Sequence, residues 1–89
     1  MKNDNFKSFE ELIYNIQRGG EVEFVYNNKK YSITHVIEGN ENQIHLLEHY
    51  NYDSLVIYKN PNEIGEYLIN ERKLKDIVTE IEVTFRCFL

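Results

Sequence analysis

The chain has 89 residues, 42% hydrophobic and 28% charged, with a formal net charge of −5, and its one cysteine is Cys87. That length holds a single core, so residues 1–89 are read as one domain, and the composition excludes a disordered tail. No apolar run approaches the roughly 20 residues of a membrane span, and a lone cysteine excludes an intrachain disulfide and fits a reducing cytoplasm.

The N-terminal Met1-Lys2-Asn3-Asp4-Asn5 is polar and does not read as a signal peptide. Ser8 and Glu11 stand at capping-box spacing, and Phe9, Leu12, Ile13 and Ile16 form an apolar stripe, predicting a helix. Arg18 suits the last turn, and Gly19-Gly20 stops the helix. Glu21 to Tyr26 then alternates, with Val22, Phe24 and Tyr26 on one face, as in a half-buried strand. Asn27-Asn28-Lys29-Lys30 reads as a turn, Tyr31 to Ile37 as a second strand, and Glu38 to Asn42 as another turn. Gln43 to Tyr50 reads as a third strand, Asn51-Tyr52-Asp53 as a connection, and Ser54 to Tyr58 as a fourth strand. Asn60, Pro61 and Glu63 begin a short helix with Ile64, Tyr67 and Leu68 on its apolar side. Leu74, Ile77, Val78 and Ile81 recur with helical spacing, predicting a further helix from about Arg72 to Ile81. Glu82 to Leu89 alternates again, with Val83, Phe85, Cys87 and Leu89 on one face and Phe88 breaking the pattern, and reads as a terminal strand.

The fold class that follows is α+β: an N-terminal helix, a four-stranded antiparallel meander, two short helices and a C-terminal strand. The helices are expected on one face of the sheet, where every apolar stripe is buried.

Candidate chemistry is sparse. His45 and His49 would share a strand face about 13 Å apart at ~3.3 Å per residue, too far to chelate one metal, and read instead as exposed polar residues. His35, among Ile33, Val36 and Ile37, reads as a satisfied, half-buried histidine. Cys87 has no flanking His and no Gly-rich turn, and sits in an apolar alternation like a small core residue. Thiol catalysis would need a histidine within hydrogen-bond reach of it. The carboxylates are spread singly, and no phosphate loop, nucleotide fingerprint or calcium loop appears. The expectation is no catalysis, no metal and no cofactor. Acidity with only Lys29-Lys30 and Arg72-Lys73 as basic pairs argues against direct nucleic-acid binding.

A binding role has more to work with. There are seven tyrosines, and Glu48-His49-Tyr50-Asn51-Tyr52-Asp53 sets two aromatics beside polar and acidic groups. Tyrosine is enriched at recognition surfaces because it brings rigid area and one hydroxyl. Against this, tyrosine commonly caps strand ends and isolated exposed aromatics need no explanation. The candidate binding residues are Glu48, His49, Tyr50, Tyr52 and Asp53. A terminal hydrophobic strand also suggests an exposed sheet edge, hence a homodimer through the C-terminal strand or an added partner strand; its plainer reading is a strand closing the core.

There is no Ala and no Trp, while Asn, Ile, Lys and Tyr abound. Folding does not demand this, since alanine is the best helix former, so the bias points to an AT-rich genome. Ser8 to Ile13, Arg18 to Ile33, Lys73 to Ile77 and Glu80 to Val83 resemble small uncharacterised accessory proteins of low-GC Gram-positive bacteria and their phages, which often carry Gly where Asn28 stands. The resemblance covers about half of the chain and implies genomic context, with no activity or site residues attached. The functional expectation is a cytoplasmic, non-catalytic protein-binding module, an acidic phage or mobile-element inhibitor of the anti-CRISPR or immunity-protein kind. The competing expectation is a small-ligand binder that takes a nucleotide or metabolite with Tyr50, Tyr52, His45 and His49.

Overall fold

The computed structural model describes residues 4–87. Its first element, α1 (Phe9–Gln17), opens at Ser8, whose hydroxyl accepts the Glu11 N–H at 3.2 Å. The return arm of the capping box is diverted, because the Glu11 carboxylate faces Arg86 at 3.4 Å instead. Leu12, Ile13 and Ile16 are buried, and Gly19 ends the helix with φ +84°. Gly20 is required by contact: a Cβ there would lie 1.9 Å from the Cys87 carbonyl oxygen.

Four strands follow as an antiparallel meander, β1 (Val22–Tyr26), β2 (Lys29–Glu38), β3 (Glu41–Glu48) and β4 (Asn51–Tyr58). The turns are tighter than the sequence suggests. Asn27 and Asn28 alone make the first, both at positive φ, so Lys29 and Lys30 belong to β2. His49 and Tyr50 alone join β3 to β4, so Asn51, Tyr52 and Asp53, expected in a connection, lie on the strand.

The segment after β4 departs further from expectation. Asn60 and Glu63 form the expected capping box around Pro61, but the element is a 3-10 helix (Pro61–Glu66). Leu68, expected on its apolar side, belongs instead to a two-residue strand and is exposed. That strand, β5 (Leu68–Ile69), pairs with β6 (Arg72–Lys73) around Asn70 and Glu71, both at positive φ. The helix predicted over 72–81 shrinks to α2 (Leu74–Ile77). Leu74, Ile77, Val78 and Ile81 are all buried as the spacing requires. One helical turn and the loop after it suffice, and the β-branched run Ile77-Val78-Thr79 resists further helix.

β7 (Glu82–Arg86) returns beside β1, giving a five-stranded antiparallel sheet of order β4-β3-β2-β1-β7. A bulge at Thr84 breaks its expected alternation: Val83 opposes buried Phe24, whereas Phe85 opposes Glu23 and is exposed. Arg86 thereby falls opposite Val22 on the core side. Cys87 lies just past the strand, and the part of the expected strand at Phe88 and Leu89 is outside the described residues.

The core lies between one sheet face and the helical layer. Val22, Phe24, Tyr31, Ile33, Ile44, Leu46 and Val83 face Leu12, Ile16, Ile64, Ile69, Leu74 and Ile77. The Phe24 and Tyr31 rings stack across strands, with centroids 5.2 Å apart. One polar residue is completely buried here. Asn15 receives the Arg86 Nε–H at 3.0 Å and donates to the Cys87 carbonyl at 3.2 Å, while Arg86 also covers the Phe6 ring. His35 behaves otherwise. It opposes buried Ile44 and is half-buried as expected, but neither ring nitrogen hydrogen-bonds to a side chain or backbone group among the described residues. Among the described residues, no helix is long and apolar enough to cross a membrane.

Candidate functional site

The tip of the β3–β4 hairpin carries the five candidate binding residues. On the β2 side the ladder is regular to its end, with Tyr31 opposite Glu48 and the His49 N–H donating to the Lys30 carbonyl at 2.8 Å. On the β4 side it is not. Pairing jumps from Leu46–Val56 to Glu48–Asn51, so two steps along β3 match five along β4. Ser54 fills the irregularity: its hydroxyl accepts the Glu48 N–H at 2.8 Å and donates to the Asn51 carbonyl at 2.6 Å. A single hydroxyl thus replaces ladder bonds that the bulge removes, and it ties the tip down.

Tyr50 sits at the apex with φ +65° and is fully exposed. The left-handed region is costly for a bulky L-residue, roughly 1–2 kcal/mol. Nothing in the fold offsets that cost through burial of this ring. Tyr52 is also 83% exposed, and Asp53 beside it faces solvent. His49 meets Tyr50 edge-on, with ring centroids 6.1 Å apart.

Glu48 diverges from this group. It opposes Tyr31, and after burial itself its negative charge is a further cause holding the Tyr31 phenol above its ordinary value. The structure therefore brings His49 and Tyr50 into contact, sets Tyr52 and Asp53 next along β4, and turns Glu48 toward the core side.

Two well-formed clefts among the described residues are lined by other side chains than His45, His49, Tyr50 and Tyr52. One, of about 320 Å³, runs between β4 and the segment after the 3-10 helix, lined by Ser54, Val56, Tyr58, Glu66, Tyr67 and Leu68. Burial pushes the Tyr58 and Tyr67 phenols above their ordinary value, and the Tyr67 hydroxyl donates to the Ser54 carbonyl at 2.9 Å. At its rim Glu66 accepts from Lys75 at 2.9 Å and from Lys73 at 3.0 Å, and these bonds hold its carboxyl below the usual range. The second cleft, about 500 Å³ and polar, lies between the Asn27-Asn28 turn and Glu80 and Glu82.

His45 shares a hydrogen bond with Gln43 at 3.1 Å, and the Cys87 sulfur accepts the Glu21 N–H at 3.5 Å. Among the described residues no histidine hydrogen-bonds that sulfur, and no three His, Cys, Asp or Glu side chains gather as a metal site would require. The β4 cleft was not legible in the sequence. Its one trace is the unbroken apolar run Leu55-Val56-Ile57 on β4. Compared with known proteins, the chain matches no family model, no curated protein and no solved structure.

Proposed function

We propose that this chain is a non-catalytic protein-binding module that recognises its partner with the β3–β4 hairpin tip. The observation that carries this reading is Tyr50: a fully exposed aromatic held at φ +65°, where glycine or asparagine would cost less. Backbone strain that benefits no core is what a recognition residue looks like. Tyr52, Asp53 and His49 extend the same surface, with Glu48 at its edge on the core side. Supporting it further, the hairpin is short and pinned by Ser54, so little conformational freedom is lost on docking.

The net charge of −5 favours a basic partner surface, as an acidic inhibitor from a phage or mobile element would need to occupy a nucleic-acid channel. The test is affinity capture of the tagged chain from a lysate of a low-GC Gram-positive host, at low and moderate salt, beside a Tyr50→Ala/Tyr52→Ala chain. One stoichiometric protein retained by the parent and lost by the variant is the expected outcome. A partner retained equally by both would refute the hairpin tip. Binding indifferent to salt and to charge reversal at Glu21, Glu23 and Glu48 would refute the electrostatic part.

A further inference from the structure

Tyr50 lies between two backbone positions that are held in different ways. On one side the His49 N–H donates to the Lys30 carbonyl at 2.8 Å, at the end of the regular β2–β3 ladder. On the other side the ladder gives no such support, because pairing between β3 and β4 skips Tyr52 to Leu55. Ser54 supplies it instead. Its hydroxyl joins the Glu48 N–H, at 2.8 Å, to the Asn51 carbonyl, at 2.6 Å, and these are the two residues that pair across the turn. The turn between them has two residues, and Tyr50 supplies the positive φ that closes it.

Ser54 is fixed in turn from the helical layer. The Tyr67 hydroxyl donates to its carbonyl at 2.9 Å. Tyr67 is only 5% exposed, its N–H donates to the Ile64 carbonyl at 3.1 Å, and its own carbonyl accepts the Leu74 N–H at 2.8 Å. A frame between the 3-10 helix and α2 therefore reaches the hairpin through one phenol and one hydroxyl. Tyr67 is buried and Ser54 half-buried, so neither offers a partner the area that Tyr50 and Tyr52 do.

We propose that Ser54 and Tyr67 are positioning residues of the recognition tip: the Ser54 hydroxyl holds Tyr50 in its strained, binding-ready conformation, and Tyr67 anchors Ser54. This rests on the hairpin tip being the recognition surface. The direction of the effect follows from the strain. The left-handed region is unfavourable for tyrosine and the ring buries nothing, so Tyr50 leaves that conformation once the constraint is removed. Release lowers the fraction of chains with a competent tip, and apparent affinity falls by the same factor.

The test joins backbone amide NMR relaxation of the free chain to titration calorimetry with the captured partner. The Tyr50 amide of the parent is expected to show an order parameter of about 0.85, and Ser54→Ala to bring it below ~0.6 while Ile33 and Leu46 stay unchanged. Ser54→Thr keeps a hydroxyl and is expected to retain the parent value. Partner affinity is expected to fall about tenfold in Ser54→Ala, as for a tip competent about a tenth of the time, and to return in Ser54→Thr. Tyr67→Phe removes the anchor alone and is expected to weaken binding about threefold; parent affinity there would overturn its anchoring role. A Ser54→Ala chain whose Tyr50 stays rigid, with the Glu48 N–H closing directly on the Asn51 carbonyl, overturns the proposal. Loss of order across the whole sheet overturns it too, because Ser54 would then support the fold and not the tip. If Tyr50→Ala/Tyr52→Ala binds like the parent, the tip is not the recognition surface, and the order parameters of the free chain still decide whether Ser54 positions it.

Discussion

Tyr50 offers the sharpest test of how strain and exposure are apportioned in this fold. Replacing it by glycine removes a residue at φ +65° whose side chain is fully exposed. Relief of the left-handed conformation is worth roughly 1–2 kcal/mol. Glycine's greater freedom in the unfolded chain takes back about 0.5–1 kcal/mol, and the lost edge contact with His49 about 0.5 kcal/mol at most. No burial term enters, because the ring is not buried. The net expectation is that Tyr50→Gly stabilises by about 0.5 kcal/mol, raising Tm by roughly 2–4 °C for a domain of this size. The same change should weaken partner binding by about 2 kcal/mol, near thirtyfold, as loss of an aromatic anchor does. Tyr50→Ala separates the two effects: it keeps the strained backbone, so it loses binding without gaining stability. Thermal denaturation by circular dichroism reads the first quantity and titration calorimetry with the captured partner the second. A Tyr50→Gly chain less stable than the parent would show that the ring supports the fold, and the recognition argument would fail.

Asn15→Ala should cost about 2–3 kcal/mol in urea denaturation, because it strands the Arg86 Nε–H and the Cys87 carbonyl beneath α1. His35→Leu should stabilise by about 1 kcal/mol, since it removes two buried ring nitrogens without hydrogen-bond partners among the described residues, and a loss instead would show that they are satisfied. Burial raises the Tyr31, Tyr58 and Tyr67 phenols above 10.0, so the folded chain holds these protons more tightly than the unfolded one. Their contribution is therefore complete below pH 10 and is lost as pH rises through the raised values. Tyr67→Phe should lose about 1 kcal/mol at neutral pH with its Ser54 hydrogen bond, and its urea midpoint should then fall less steeply with alkali.

Local rules carried the first two thirds of the chain. The Ser8 cap, the Leu12-Ile13-Ile16 stripe and the Gly19 stop are all decided within one or two helical turns. Alternation in β1 to β3 is likewise a statement about one buried face, and it needs no knowledge of the partner strands. The sequence alone therefore determined the α+β class, the meander and the helix that covers it. Past Asn60 its guidance weakened, because 3-10, β-hairpin and short α-helical turns bury the same apolar residues at similar spacing. There the positive φ of Asn70 and Glu71 and the packing of Gly65 against Phe9 decided the path. Tertiary structure alone also decided the site. The Thr84 bulge moves Arg86 inward, where Asn15 binds it, and turns Phe85 outward, an inversion that one extra residue imposes without changing the composition. Whether Tyr50 is buried, and which strand is left as an open edge, depends on which segments lie over the sheet. That is a property of contacts far apart in the chain, and no local pattern encodes it.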